Sequence, residues 1–346
     1  MPDGVLTKDD LKARLHLLLE PALVEVNRIL LRQFRNPNSL VQELCDHVSR
    51  YRGKQIRPML VLLTAGAISA GHSGGPEDSH GGSGVVWENV HRLAAVVELI
   101  HTATLVHDDV IDDADIRRHV STVHRRWNAE TSVLLGDYLF SRAFHLAATT
   151  GDAEACREIG RATDKTCEGE LNQIAARLEQ SQSERDYLRV IAGKTGQLFG
   201  VSCVLGGRAA GASPRQVTRL RQFGLRLGMA FQIADDVIDL TENAGVTGKD
   251  STNDLSNHRL TLPLLRALSI AGADDRQLLI DCLQSDTSDG RSRIREHALV
   301  QAGVASARNT AEELVRRAVR CVQCVPAGEH RLLLEAIAQF AVNRSA

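Results

Sequence analysis

The sequence predicts an all-α protein, and three observations carry that expectation. Apolar residues recur at three- and four-residue intervals almost from end to end, alternating patterns of half-buried strands are nearly absent, and the 346 residues include only eight prolines, mostly in apparent connections. Ten or more helices are expected. With 43% hydrophobic and 24% charged residues, the chain suits a globular protein with a sizeable core and excludes an extended disordered one.

The first stretch, MPDGVLTKDDLKARLHLLLEP, mixes charges of both signs with Leu11, Leu15, Leu18 and Leu19 at helical spacing. It reads as a first helix, since a signal peptide would have a basic start and an unbroken apolar run. The most apolar run, Pro58 to Gly71, falls short of the ~20 residues that span a bilayer and is interrupted by Thr64, Gly66 and Ser69, so no integral membrane segment is expected. GHSGGPEDSHGGSG at 71–84 then reads as a mobile surface loop. Leu93, Val97, Ile100, Thr104 and Ile111 mark a long middle helix, and Leu225, Met229, Gln232, Ile233 and Val237 mark a later one. SDTSDGRSR at 285–293 reads as a second surface loop. Neither loop divides the composition into two styles, so a single helical domain over 1–346 is expected, with no array of 20- to 50-residue repeats.

Forty-one Lys and Arg against 43 Asp and Glu leave a formal charge of −2, which calls for no nucleic-acid partner; any handling of anions must be local. Seven scattered cysteines are not a disulfide framework and point to a reducing, cytoplasmic setting. Cys321 and Cys324 form a C-x-x-C without a second Cys or His pair nearby, and read as plain thiols rather than a zinc site.

One pentapeptide occurs twice without change: Asp108-Asp109-Val110-Ile111-Asp112 and Asp235-Asp236-Val237-Ile238-Asp239. Each copy follows an apolar helical stretch. Positions i and i+4 share a helix face, with i+1 three residues before i+4, so the three carboxylates of each copy are expected to converge on one side. Like charges so close repel unless a cation joins them. Oxygen ligands favour a hard ion, and Mg²⁺ typically shares its shell with substrate phosphates, so two acidic walls can hold a diphosphate between them. A solvated acidic face is the plainer account of one such motif, and the repetition argues against it for two. The cationic counterpart is GKQIRP at 53–58, with Lys54 and Arg57 three residues apart, then Arg117-Arg118, Lys194-Thr195 and Lys249. Arg offers a planar fork to phosphate oxygens and Lys a mobile point charge. Together they fit a second diphosphate bound without metal beside one bound with it.

These residues resemble the trans (E-type) polyprenyl diphosphate synthases, the head-to-tail prenyltransferases, of the medium- to long-chain, octaprenyl kind. The likeness runs through GKQIRP, IHTATLVHDDVIDDADIRR, GDYL at 136–139, GELNQ at 169–173, KTGQLF at 194–199, FQIADDVIDL at 231–240, and GKDSTNDL followed by TLP at 248–263. It implies the all-helical isoprenoid synthase fold, a bundle around a deep central cavity with the two acidic motifs facing each other, and a homodimer.

Residue by residue, the resemblance implies that Asp108, Asp112 and Asp235 ligate Mg²⁺ on the allylic diphosphate, with Asp109 and Asp239 supporting. It assigns Lys54, Arg57, His101 and Arg118 to isopentenyl diphosphate, and Arg117, Lys194, Thr195, Gln232 and Lys249 to the allylic substrate. Asp108, Asp112, Arg117, Lys194 and Asp235 would then carry the catalysis. Short-chain members tend to place an aromatic four or five residues before the first Asp; here those positions are Thr104 and Ala103, both small and expected on the Asp108 side one turn below. An open tunnel and a product of roughly hexaprenyl to decaprenyl length are implied, grown on farnesyl or geranylgeranyl diphosphate, with a farnesyl- or geranylgeranyl-length product as the alternative. Two departures stand out. His119 and Asn128 occupy places where the family often has Gly, which reaches positive φ at no cost, so the loop after the first motif is expected to close differently.

Rival readings fare worse. Class I terpene cyclases usually replace the second DDVID by a motif of Asn or Asp, Ser or Thr, and Glu, and do not need GKQIRP. Glu88-x-x-His91 and Glu98-x-x-His101 fit the di-iron E-x-x-H pattern but lie only ten residues apart. His107-Asp108 suggests a metal phosphohydrolase, without the further histidines. A silent subunit of a heteromeric synthase tends to lose the acidic motifs, and both are complete here. No strongly basic amphipathic helix marks a docking site for lipid, although a long prenyl product makes peripheral membrane contact reasonable.

Overall fold

The computed structural model describes residues 6–51, 53–71, 85–179, 183–241, 260–285 and 287–343. It is almost entirely helical, as the periodicity predicts. The first helix, α1 (Lys8–Gln33), opens on a capping box in which the Thr7 hydroxyl accepts from Asp10 N and the Asp10 carboxylate accepts from Thr7 N. Next come α2 (Ser39–Val48), capped by Asn38, and α3 (Ile56–Ser69). α4 (Trp87–Ile111) is followed by a two-residue hairpin of β1 (Ile116–Arg117) and β2 (Val120–Ser121), then the single turn α5 (Val123–Arg126) and α6 (Ala129–Ala148). α7 (Ala153–Glu179) and α8 (Glu184–Ile191) lead into a π-turn (Ala192–Gly196), α9 (Gln197–Ala209) and α10 (Pro214–Thr241). The remainder is α11 (Leu262–Ile270), α12 (Ala273–Gln284), α13 (Ser288–Glu296), α14 (Ala298–Val322) and α15 (Glu329–Val342).

Burial follows composition. α3 and α9 are apolar on every side, and both are buried almost throughout, as a helix without a polar face must be. α4 is buried from Val90 to Val106 apart from one strip. These three make the interior: α3 packs on α4 and α9, and around them lie α1, α6, α7, α10 and α15, with α14 along α10 and α11. Two long helices, α4 and α10, thereby carry the duplicated pentapeptide at their C-terminal ends.

One expected loop is a helix. Within 285–293, Thr287 caps α13 by accepting from Gly290 N at 3.0 Å, and Ile294 one turn on is 1% exposed. The stretch is polar because α13 buries little more than that side chain. The expected mobile loop at 71–84 falls, from residue 72 onward, outside the described residues. No described helix is long and apolar enough to cross a membrane.

Candidate active site

Each acidic motif ends a helix, where the aligned peptide dipoles already place partial negative charge, so carboxylates there need cations nearby. Asp108 has one: its Oδ2 lies 3.6 Å from the Nζ of Lys194. Lys194 also pairs with Glu170 of α7 and lies 3.3 Å from Gln173 Oε1. The approach depends on glycine, because a Cβ on Gly169 would lie 2.7 Å from the backbone nitrogen of Lys194. The π-turn, an element common at functional sites, is what presents Lys194 and Thr195 side by side. Burial raises the Glu170 carboxyl above its ordinary range, with Lys194 opposing.

The middle aspartate of each motif does not join its neighbours, contrary to the expected convergence of three carboxylates. Asp109 is fully buried, and its Oδ1 accepts from Arg117 Nε at 2.8 Å and Nη2 at 2.6 Å. Burial pushes its carboxyl up to about 6, against the pull of Arg117. Its Oδ2 is buried without a hydrogen-bond partner. Asp236 is likewise buried, accepting from Tyr187 and Gln232. A helix turns about 100° per residue, so burying the second aspartate leaves the first and last of each copy together on another side. Among the described residues no three His, Cys, Asp or Glu side chains form a ready-made metal cluster.

The expected cations assemble at the start of α3. Arg57, in its first turn, lies over the Phe199 ring, 4.8 Å from the centroid. Burial lowers its guanidinium to about 10; Glu98 and Asp235 counter the loss and Arg118 adds to it. His101 is held well below its ordinary value by burial first, then by Arg57, Arg118 and Arg117, and is a neutral imidazole. Arg118 reaches back from the hairpin to Tyr51 O and fills the space beside Gly53, where a Cβ would lie 2.4 Å from Nη2. Lys54 is exposed on the same loop. Arg57 thus stands in the electrostatic reach of Asp235, as Lys194 stands beside Asp108.

A polyprenyl synthetase model matches residues 38–299. The chain belongs to the polyprenyl synthetase family. It is 31% identical over 331 residues to the octaprenyl diphosphate synthase of Haemophilus influenzae, covering 95% of both chains. It is 38% identical over 255 residues to heptaprenyl diphosphate synthase component 2 of Geobacillus stearothermophilus, covering 74% of this chain and 75% of that one. Among solved structures, a Caulobacter crescentus polyprenyl synthase complexed with calcium and isoprenyl diphosphate superposes with a TM-score of 0.86 at 31% identity, covering all of both chains.

Along α4, Thr104 and Ala103 part company. Thr104, half-buried, lies one turn below Asp108, whereas Ala103 is fully buried, one turn below His107, whose imidazole meets Val133 O at 3.1 Å and the Phe140 ring on α6. The expectation that both face the Asp108 side holds by helical position for Thr104 alone. Arg118 and His119 are the two central residues of the hairpin turn, both at positive φ (51° and 65°), the type I′ arrangement. A glycine would relax there, yet the turn closes. Asn128 is extended, at φ −168°, and caps α6 by accepting from Thr131 N at 2.7 Å. Lys249 lies outside the described residues.

Sequence reasoning passed over Glu170 and Gln173, although GELNQ carried the resemblance, because a half-buried carboxylate beside Lys194 needs a crossing of α7 and the π-turn. It read Glu98 only as half of a di-iron pattern; Glu88, His91, Glu98 and His101 all lie on α4. It also missed Tyr187, for which no local signal exists.

Proposed function

We propose that this chain is a Mg²⁺-dependent trans-prenyltransferase that condenses isopentenyl diphosphate head-to-tail onto an allylic diphosphate, giving a medium- or long-chain all-trans polyprenyl diphosphate. One observation carries the reading: each of the two identical acidic motifs has a cation of its own, Asp108 against the Lys194 ammonium and Asp235 in the electrostatic reach of Arg57, beside which stand Arg118 and His101. Family membership and the octaprenyl and heptaprenyl relatives support it.

The donor set fits a hard divalent cation, since Asp108, Asp112, Asp235 and Asp239 offer only carboxylate oxygens and a lysine ammonium already lies against one of them. Those four would hold Mg²⁺ together with the allylic diphosphate, and the cation would supply charge neutralisation as that group departs. Lys194 and Arg117 hold positive charge on the same diphosphate. Lys54, Arg57 and Arg118 bind the diphosphate of isopentenyl diphosphate, and His101, being neutral, donates or accepts a hydrogen bond there without adding charge. The apolar interior excludes water, so the allylic cation left by the departing diphosphate meets the double bond of isopentenyl diphosphate rather than a hydroxyl. The new cation then loses a proton to the released diphosphate, restoring an allylic double bond. Thr104 leaves space beneath Asp108 for the growing chain.

The reading extends to a cytoplasmic, single-domain homodimer. Val133, Leu134 and Phe144 stand exposed along α6, Leu134 at 68%, a surface suited to a second copy. The described cysteines are all free. The test is an incubation of the purified chain with radiolabelled isopentenyl diphosphate, farnesyl diphosphate and Mg²⁺, followed by chromatography of the dephosphorylated products. A ladder ending at one polyprenol of six to ten units is expected. No incorporation from geranyl, farnesyl or geranylgeranyl primers would overturn the reading in favour of a silent subunit.

A further inference from the structure

A buried chain of hydrogen bonds ties α8 and the π-turn to the second acidic motif. The Tyr187 hydroxyl, on a side chain 4% exposed, lies 2.6 Å from Asp236 Oδ2, and Asp236 is 5% exposed. Its Oδ1 lies 2.9 Å from Gln232 Nε2, and Gln232 Oε1 lies 2.8 Å from Thr195 Oγ1. One group sets the direction of the whole chain. The Gln232 amide nitrogen can only donate, so it donates to Asp236 Oδ1, while the Tyr187 hydroxyl donates to Oδ2. With its nitrogen turned to Asp236, Gln232 turns its carbonyl to Thr195. Thr195 must then donate its single hydroxyl proton to Gln232, which leaves its oxygen lone pairs for anything else that approaches.

We infer that Tyr187 is a positioning residue for prenyl transfer, acting through Asp236 and Gln232 to hold the Thr195 hydroxyl as an acceptor toward the allylic group. The inference rests on the proposed function. As the allylic C–O bond lengthens, positive charge develops on carbon. An oxygen lone pair already turned to that charge stabilises it, and a hydroxyl hydrogen would oppose it. The same chain accounts for the burial of the middle aspartate of the second motif: it is the anchor of a polar relay, and Tyr187 donates to one of its two oxygens.

The test is a double-mutant cycle on the full chain, with kcat and KM measured for labelled isopentenyl diphosphate on a farnesyl primer. Tyr187→Phe is expected to lower kcat about tenfold, less than deletion of a donor in direct contact. KM for isopentenyl diphosphate should stay within about twofold, because the Arg57 group is untouched. In a Thr195→Val background the same substitution should cost less than about twofold, since the residue it acts through has gone. Equal losses in both backgrounds, or unchanged kcat for Tyr187→Phe in an active protein, overturn the inference while leaving the function standing. A wild type that forms no prenyl product overturns both. Should Tyr187→Phe not fold, a fluorotyrosine at 187 keeps the ring and strengthens the donor; kcat must then change with Thr195 present and not in the Thr195→Val background.

Discussion

Lys194 Nζ lies 3.6 Å from Asp108 Oδ2 and against the Glu170 carboxylate, so a single ammonium links α4, α7 and the π-turn. Removing it leaves two carboxylates facing each other at a helix C-terminus, where the dipole repels both. Lys194→Ala is expected to lower kcat about a hundredfold through lost charge on the departing diphosphate, with the helical circular dichroism unchanged. Steady-state kinetics within a few-fold of wild type would remove Lys194 from the transfer site.

The first aspartates of the two motifs divide the same charge. Asp108→Ala and Asp235→Ala should each cost about a thousandfold or more in turnover while the protein stays folded. Chelation with EDTA should stop incorporation of label and added Mg²⁺ should restore it. Near-normal rates in both variants, or turnover indifferent to the chelator, would sink the metal assignment.

Asn128 has a different employment from the glycine it replaces. Because it is extended, it needs no conformational licence, and its side chain satisfies Thr131 N at the start of α6. Asn128→Ala should destabilise the fold by about 1 kcal/mol, and Asn128→Gly by only a few tenths, in urea unfolding. A larger loss for Gly than for Ala would mean that the backbone, not the cap, matters here.

The contrast shows what could be read in advance. The all-helical fold was legible because apolar spacing is local, and the acidic and basic motifs because each is contiguous in the chain. Asp109 leaving its neighbours was not, since its partner Arg117 arrives through a hairpin eight residues on. Nor was the π-turn, whose one extra residue leaves no periodic trace, or α13, which shows the core a single strip around Ile294. Tyr187 meets Asp236 across 49 residues, and no spacing rule reaches that far.

The hairpin that carries Arg117 and Arg118 is fastened by a histidine. His47 Nε2 donates to Ser121 O at 2.7 Å, which leaves Nδ1 to accept from Arg126 Nη1 at 3.4 Å. Burial lowers its pKa below 6.5, with Arg126 and Arg50 adding to the effect and the Ser121 bond and Glu43 opposing. The unfolded chain therefore takes up the proton first. Stability from this site is complete above the unfolded value and is lost as pH falls through it toward the folded one. Unfolding free energies at about pH 7.5 and pH 5 should show a steeper acid loss for wild type than for His47→Gln. Parallel slopes would show that other histidines carry the acid sensitivity.

Product length tests the difference between two adjacent residues. Thr104 is half-buried one turn below Asp108, so a larger side chain there should intrude on the space the chain grows into. Thr104→Phe should shorten the longest polyprenol in the product ladder at nearly unchanged stability. Ala103 has no exposed surface and shares its side of α4 with His107, which packs on α6. Ala103→Phe should overpack that seam, lowering stability by about 1–3 kcal/mol whether or not the product changes. Chromatography of the products beside thermal melts separates the two. A Thr104→Phe enzyme that still reaches full length would mean that the growing chain does not pass this side of α4.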